Sequence, residues 1–121
     1  MDDCVFCKIV KGDIPSTKVF EDDQVVAFKD IKPLAPVHIL IIPKTHIESL
    51  SKAEDEYASL LGICQITAKK VAEKMGIKDA FRLLLANGSS AGQTVFHLHY
   101  HLLGGWGKEV PEMEVKKEKL P

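Results

Sequence analysis

The sequence predicts an α+β fold: about five short strands in a mostly antiparallel sheet, one long helix inserted among them, and a short helix at the N-terminus. Two observations carry this. The runs "TKVFED", "VVAFKD", "VHILIIP", "DAFRLLLANG" and "TVFHLHYHLL" are β-rich, short and punctuated by Gly, Pro and Asp. Between the third and fourth runs, Tyr57, Leu60, Leu61, Cys64, Ala68, Val71 and Met75 recur at steps of three and four, which is one apolar face of a helix. The chain has 121 residues, 45% of them hydrophobic and 27% charged. That is the length and balance of one soluble globular domain, 1–121, able to bury a core without disulfides.

Each element follows in order. "CVFCKIVKGDIP" reads as a short helical turn stopped by Gly12 and Pro15. Asp22 and Asp23 sit between the first two strands and suit a hairpin turn. "IKPLAP" carries two prolines and must be a loop. "VHILIIP" is an apolar strand ended by Pro43. Ser51 with Glu54 reads as a capping box for a helix of roughly 20 residues. Glu54, Asp55 and Glu56 fall in its first turn, Lys74 in its last, and Gly76 stops it. "DAFRLLLANG" returns to strand, "GSSAG" is a flexible loop, and Gly104 and Gly105 end the last strand. The tail, residues 108–121, is charged and without period.

Composition excludes several classes of function. Net charge is −1, so no global positive field invites nucleic acid. The longest apolar run, "HILIIP", is far too short to cross a membrane. The N-terminus lacks a signal-peptide run. Three cysteines make no disulfide framework, and a reducing, cytoplasmic home is expected.

The chemistry concentrates in "TVFHLHYHLLGG". Three of the five histidines, His97, His99 and His101, stand at alternate positions. On a strand they share one face, spaced by roughly 6.5–7 Å, while Phe96, Leu98, Tyr100 and Leu102 take the other face under the helix. A lone histidine on a strand is ordinarily a tolerated polar residue. Three in strict alternation, between a Gly-Ser loop and two glycines, line a cleft. His97 and His101 stand about 13 Å apart on such a strand, too far to bind one ion with bonds of about 2 Å. At most two of the three could therefore join a single metal site; a further reading is nucleophilic catalysis, for which a neutral imidazole is well suited near neutral pH. The preceding "NGSSAGQT" turns backbone N–H groups and the Thr94 hydroxyl toward an oxyanion. No GxxxxGK[ST] pattern occurs, so this is not a Walker-type phosphate loop.

Two further features stand apart. Asp30 follows a strand and precedes the proline loop, a place for a ligand-facing carboxylate or for a turn-forming one. Cys4 and Cys7 have the spacing of half a tetrahedral zinc site, or are two thiols on a short helix; the βαβ setting of a thioredoxin-like redox pair is missing. Cys64 lies on the apolar helix face and reads as core.

"HLHYHLL", "DIKPLAPVHILIIPKTHI" and "GQTVFHLHYHLLGG" together resemble the histidine triad family, in its Hint branch of nucleoside phosphoramidases, across residues 4–107. The resemblance implies a homodimer whose two five-stranded sheets join. It implies hydrolysis or transfer at the α-phosphate of a purine nucleotide bearing an AMP or GMP moiety. It makes His99 the nucleophile, has His101 contact the phosphate and leaving group, and adds His38 and His97 to the histidine cluster. Gln93 and Thr94 would hold the phosphate, with Asn87 and Gly92 of the same loop also substrate-binding, and Thr94 would donate to the leaving group. Asp30 would hold the ribose hydroxyls, and Ile14, Phe28 and Ile31 would form the slot for the base. Relatives of bacterial type imply a structural zinc on Cys4, Cys7, His46 and His97, with no cofactor needed for catalysis. One position departs from the family pattern. Ala86 stands where an asparagine is usual, and Asn87 comes one residue later. A one-residue shift on a strand turns a side chain to the other face unless a bulge restores it. A nucleotide- or zinc-binding regulatory module with little turnover, and a hydrolase with catalytic zinc on the triad, are the competing readings.

Overall fold

A computed structural model describes residues 3–107; the charged tail expected over 108–121 lies outside them. A short helix α1 (Val5–Lys11) leads into a hairpin of β1 (Lys18–Glu21) and β2 (Val25–Lys29). Then come β3 (Val37–Pro43), the long helix α2 (Ala58–Lys74), β4 (Phe81–Leu84) and β5 (Tyr100–Gly104). The strands form one sheet in the order β1-β2-β3-β5-β4, with every pairing antiparallel. The fold is therefore the α+β architecture read from the sequence.

Local chemistry accounts for the joints. Asp22 closes the hairpin, its Oδ1 accepting the N–H groups of Gln24 and Val25 at 2.8 Å. Gly76 adopts φ +78 beyond the end of α2. Its N–H reaches the Glu73 carbonyl at 3.2 Å, and the Ile77 N–H reaches Ala72 at 2.9 Å. These two bonds are a Schellman closure, which needs the left-handed residue that glycine supplies.

The sheet is covered on both faces, which is why "VHILIIP" is apolar without alternation. One face carries Val25, Ala27, Ile39, Ile41, Leu98, Tyr100 and Leu102 against Cys64, Ala68 and Val71 of α2. The other carries Val26, Phe28, Leu40 and Ile42 against Phe6 and Ile9 of α1. Register fixes which face each histidine takes. Ile39 stands opposite Leu102, and Leu40 opposite His101. His101 thus faces away from α2, toward α1.

Three local expectations change. Ser51 and Glu54 do not cap the long helix. Two 3₁₀ turns, Leu50–Lys52 and Asp55–Tyr57, precede it, Tyr57 is its N-cap, and no side chain caps it. The helix has 17 residues, and Glu54, Asp55 and Glu56 lie before its first turn. The histidine strand is shorter than its alternation implied, because the ladder begins at Tyr100. His97 and His99 precede it in a segment held by the Leu98 N–H on the Ile47 carbonyl at 2.6 Å. Phe96 is accordingly 44% exposed rather than packed beneath the helix. The apolar run after the helix contributes four strand residues, which form an edge of the sheet.

Candidate active site and metal centre

Three of the four buried histidines are oriented by main-chain groups whose roles admit no choice, and the fourth, His101, by His38. The Leu34 N–H donates to His38 Nδ1 at 3.0 Å, so that nitrogen carries a lone pair. The proton of His38 is then on Nε2, which lies 2.9 Å from His101 Nδ1 and 3.4 Å from Asp30 Oδ2. His101 Nδ1 must accept, which leaves its own proton on Nε2. His99 has the opposite tautomer. Its Nδ1 lies 2.8 Å from the His97 carbonyl and can only donate there, so Nε2 carries the lone pair. The His97 Nε2–H donates to the Pro43 carbonyl at 2.7 Å, freeing Nδ1. Neighbouring His99 and His101 rings, with centroids 4.9 Å apart, thus pair a lone-pair nitrogen with an N–H donor.

Burial keeps these rings neutral. It lowers the pKa of His101 to about 3, helped by the neighbouring His99 and His38, and that of His97 to about 4, against the pull of the Pro43 carbonyl. His99 and His38 are also shifted down by burial, partly offset for His99 by the His97 carbonyl and for His38 by Asp30.

His99 and His101 line a cavity of about 340 Å³ together with Phe6, Ile9, Ile14, Phe28, Asp30, Ile31, Leu40 and Thr94. Its apolar walls and few convergent polar groups are those of a small-molecule site. Phe28 is buried against Phe6, edge to face at 5.5 Å. Ile31 stands at the rim, 91% exposed. Asp30 does two things: Oδ1 closes a turn on the Lys32 N–H at 2.8 Å, and Oδ2 faces His38. A second cavity of about 510 Å³, lined by Asp3, Cys4, His46, Glu48 and Phe96, shares Val5, Thr94 and Val95 with the first.

The loop before the triad is arranged differently from the expectation. Gln93 is buried, its Oε1 accepting the Gly88 N–H at 2.8 Å while Nε2 donates to the carbonyls of Glu48 and Val95. Its amide is fully engaged in holding the loop and thereby positions Thr94. Asn87 accepts the Ser51 N–H at 2.8 Å and does not line the cavity. Gly92, at φ +100, ends a 3₁₀ turn over Ser89–Ala91. The lining residues that sequence reasoning missed include Val5, Phe6, Ile9 and Leu40. Phe6 and Ile9 were legible as an apolar face at a helical step of three.

On the far side of Phe6, Cys4, Cys7, His46 and His97 converge. Their donor atoms all lie within 4.8 Å of one another. His97 Nδ1 is 3.4 Å from Cys4 Sγ and 3.5 Å from Cys7 Sγ, and His46 Nδ1 is 3.2 Å from Cys7 Sγ. A tetrahedron with bonds of about 2.0–2.3 Å has edges of about 3.3–3.8 Å, so this two-thiol, two-imidazole set fits zinc. The Pro43 carbonyl on Nε2 is the outer partner that turns His97 Nδ1 inward. Burial, with Cys4 alongside, raises the Cys7 pKa to about 11.

The depressed His101 pKa has a stability consequence. Between its folded value near 3 and the unfolded value of about 6.5, only the unfolded chain binds this proton. Stability from this group is complete above the unfolded value and is lost as pH falls below it. Urea titration should give His101→Gln a pH 7 to pH 5 loss of stability about 2 kcal/mol smaller than that of the unchanged chain. Equal losses in the two proteins would contradict the neutral, buried His101.

Comparison with known proteins agrees with this geometry. The family model "HIT domain" matches residues 11–107. The Arabidopsis thaliana protein named adenylylsulfatase HINT1 is 48% identical over 103 residues, covering 84% of this chain and 70% of its own length. The Zea mays protein named 14 kDa zinc-binding protein is 48% identical over 103 residues, covering 84% and 80%. The solved structure of a HIT family hydrolase from Clostridium thermocellum matches with a TM-score of 0.87 and 48% identity over 93% of this chain and 99% of that one. Fold, buried histidine cluster and sequence similarity agree, and the chain belongs to the HIT domain family.

Proposed function

We propose that this protein is a nucleotide hydrolase or transferase, acting at the α-phosphate of a purine nucleotide through a covalent bond to His99. The observation that carries the reading is the pair of opposite tautomers. His99 presents a lone pair at Nε2, and His101 presents an N–H at Nε2, both in one cavity. A nucleophile beside a hydrogen-bond donor is the minimum that phosphoryl substitution requires.

The base lies between Ile14, Phe28 and Ile31, with Asp30 Oδ2 accepting from the ribose hydroxyls. His99 Nε2 attacks phosphorus as the bond to the leaving nitrogen or oxygen breaks. His101 Nε2–H and the Thr94 hydroxyl donate to the phosphate and the departing group. The imidazole of the nucleotidyl-histidine carries positive charge, which the Nδ1–H shares with the His97 carbonyl. Water then attacks phosphorus, losing its proton to the group that protonated the leaving amine or oxygen, so that His101 is restored; His99 leaves as neutral imidazole, and nucleoside monophosphate is released. Phosphoramidates such as adenosine phosphoramidate suit the scheme, since amine departure needs the proton. The name of the Arabidopsis relative supports the same attack on an adenylyl phosphorus with a sulfate leaving group.

The Cys–His cluster is proposed as a structural zinc site, and the maize relative's name supports it. Zinc there would supply a cross-link rather than a Lewis acid at the substrate, and no catalytic step requires it. The protein is proposed to act in the cytoplasm. No helix among the described residues is long and apolar enough to cross a membrane.

Kinetics of single variants test the mechanism. His99→Ala should lose about four orders of magnitude or more in turnover of adenosine phosphoramidate. His101→Ala should lose about two to four orders. His99→Ala should still bind AMP, because base and ribose contacts lie elsewhere. Full activity in His99→Ala would sink the scheme.

The four-residue edge strand β4 carries exposed Phe81 and, among the described residues, has no strand neighbour on its outer side. Pairing with β4 of a second copy would cover that edge. Sedimentation at micromolar concentration should therefore show twice the 13.4 kDa chain mass. A stable monomer would contradict the homodimer.

A further inference from the structure

We propose that the Cys4–Cys7–His46–His97 cluster is a latch on the nucleotide pocket, so that a bound zinc ion and a bound purine nucleotide strengthen each other's affinity. This rests on the nucleotide reading above and adds the regulation of that same site.

The argument starts from α1. Its helical span is seven residues, too short to persist in water without tertiary support. Cys4 caps it, accepting the Cys7 N–H at 3.2 Å, and both thiols reach the imidazoles of His46 and His97. Those two histidines belong to other parts of the chain, one following β3 and one preceding β5. The cluster is thus the polar fastening of α1 to the body of the domain. The same helix turns Val5, Phe6 and Ile9 into the wall of the 340 Å³ cavity.

Phe6 makes the coupling specific. It sits between the two cysteines in sequence. Its ring meets His97 at 6.1 Å, His99 at 5.0 Å and Phe28 at 5.5 Å, each edge to face. One side chain therefore touches a cluster histidine, the proposed nucleophile and the base slot. A second route runs through His97 itself. Its ring nitrogen faces the thiols while its carbonyl holds the Nδ1–H of His99. Any displacement of His97 on metal loss moves the group that aligns His99.

A latch differs from a purely structural zinc in what it predicts. A structural ion raises stability but leaves the affinity of the folded, metal-free protein for nucleotide unchanged. A latch changes that affinity, and linkage requires the nucleotide to change metal affinity by the same factor.

The test uses the full chain, with zinc removed by a chelator and then restored, and AMP as the probe. Metal analysis should find one zinc per chain in the restored protein. Calorimetry should show AMP binding at least about tenfold more weakly to the stripped protein, with circular dichroism showing it folded. In a second measurement the zinc-loaded protein is challenged with a chromophoric chelator. Saturating AMP should slow zinc release at least about fivefold. Phe6→Ala, which leaves all four ligands and the His97 route in place, should weaken that slowing. The release measurement needs no folded metal-free protein, so it decides the matter if stripping unfolds the chain. Equal AMP affinity with and without zinc, or release indifferent to AMP, would overturn the latch. AMP binding to neither form would overturn the nucleotide reading itself, and the latch with it.

Discussion

The site depends on three main-chain groups that fix the direction of three buried imidazoles, and through His38 that of His101: the Leu34 N–H, the His97 carbonyl and the Pro43 carbonyl. An imidazole in water exchanges tautomers freely. Buried beside a carbonyl it must donate, and beside an N–H it must accept, because an unmet buried polar group costs about 1–3 kcal/mol. Those three groups, through one histidine-to-histidine bond, determine that His99 offers a lone pair and His101 a proton. No acidic residue need be invoked to fix those tautomers. Burial that pushes the pKa values down works in the same direction, since a neutral ring is the nucleophilic form.

The sheet makes this arrangement possible. Antiparallel pairing of β3 with β5 sets Leu40 opposite His101 and brings His38 within 2.9 Å of it. The opposite faces of the same strands bury Ile39, Ile41, Tyr100 and Leu102 against α2. A slip of one residue would send the histidines into the helix interface and the apolar residues into the cavity. The core therefore enforces the register, and the register aims the histidines. On the histidine face a thin layer of α1 completes the enclosure, with Phe6 as the common wall of the cavity beside His99 and of the thiol–imidazole cluster.

Much of this was legible in the sequence, for identifiable reasons. Side-chain patterns report which face a residue takes, so five strands, the long helix and the grouping of His97, His99 and His101 could be read directly. The Cys4–Cys7 spacing announced a cluster, and resemblance supplied His46 and His97. Main-chain partners leave no such trace. Nothing in "PKTH" indicates that the Pro43 carbonyl orients His97, and nothing in "IKPLAPVH" shows that Leu34 reaches back to His38. For the same reason Gln93 looked like a phosphate ligand, whereas its amide holds three backbone groups. Ser51 looked like a helix cap, whereas its N–H meets Asn87. The alternation of the triad also overstated the strand, because His97 and His99 keep their facing without belonging to the ladder.

The central claim is that backbone hydrogen bonds impose opposite tautomers on His99 and His101. Nitrogen NMR of the imidazole side chains at neutral pH reads those tautomers directly. The account predicts that His99 is protonated at Nδ1 and that His38, His97 and His101 are protonated at Nε2. Finding His99 protonated at Nε2, or finding both nitrogens of His101 protonated, would contradict it.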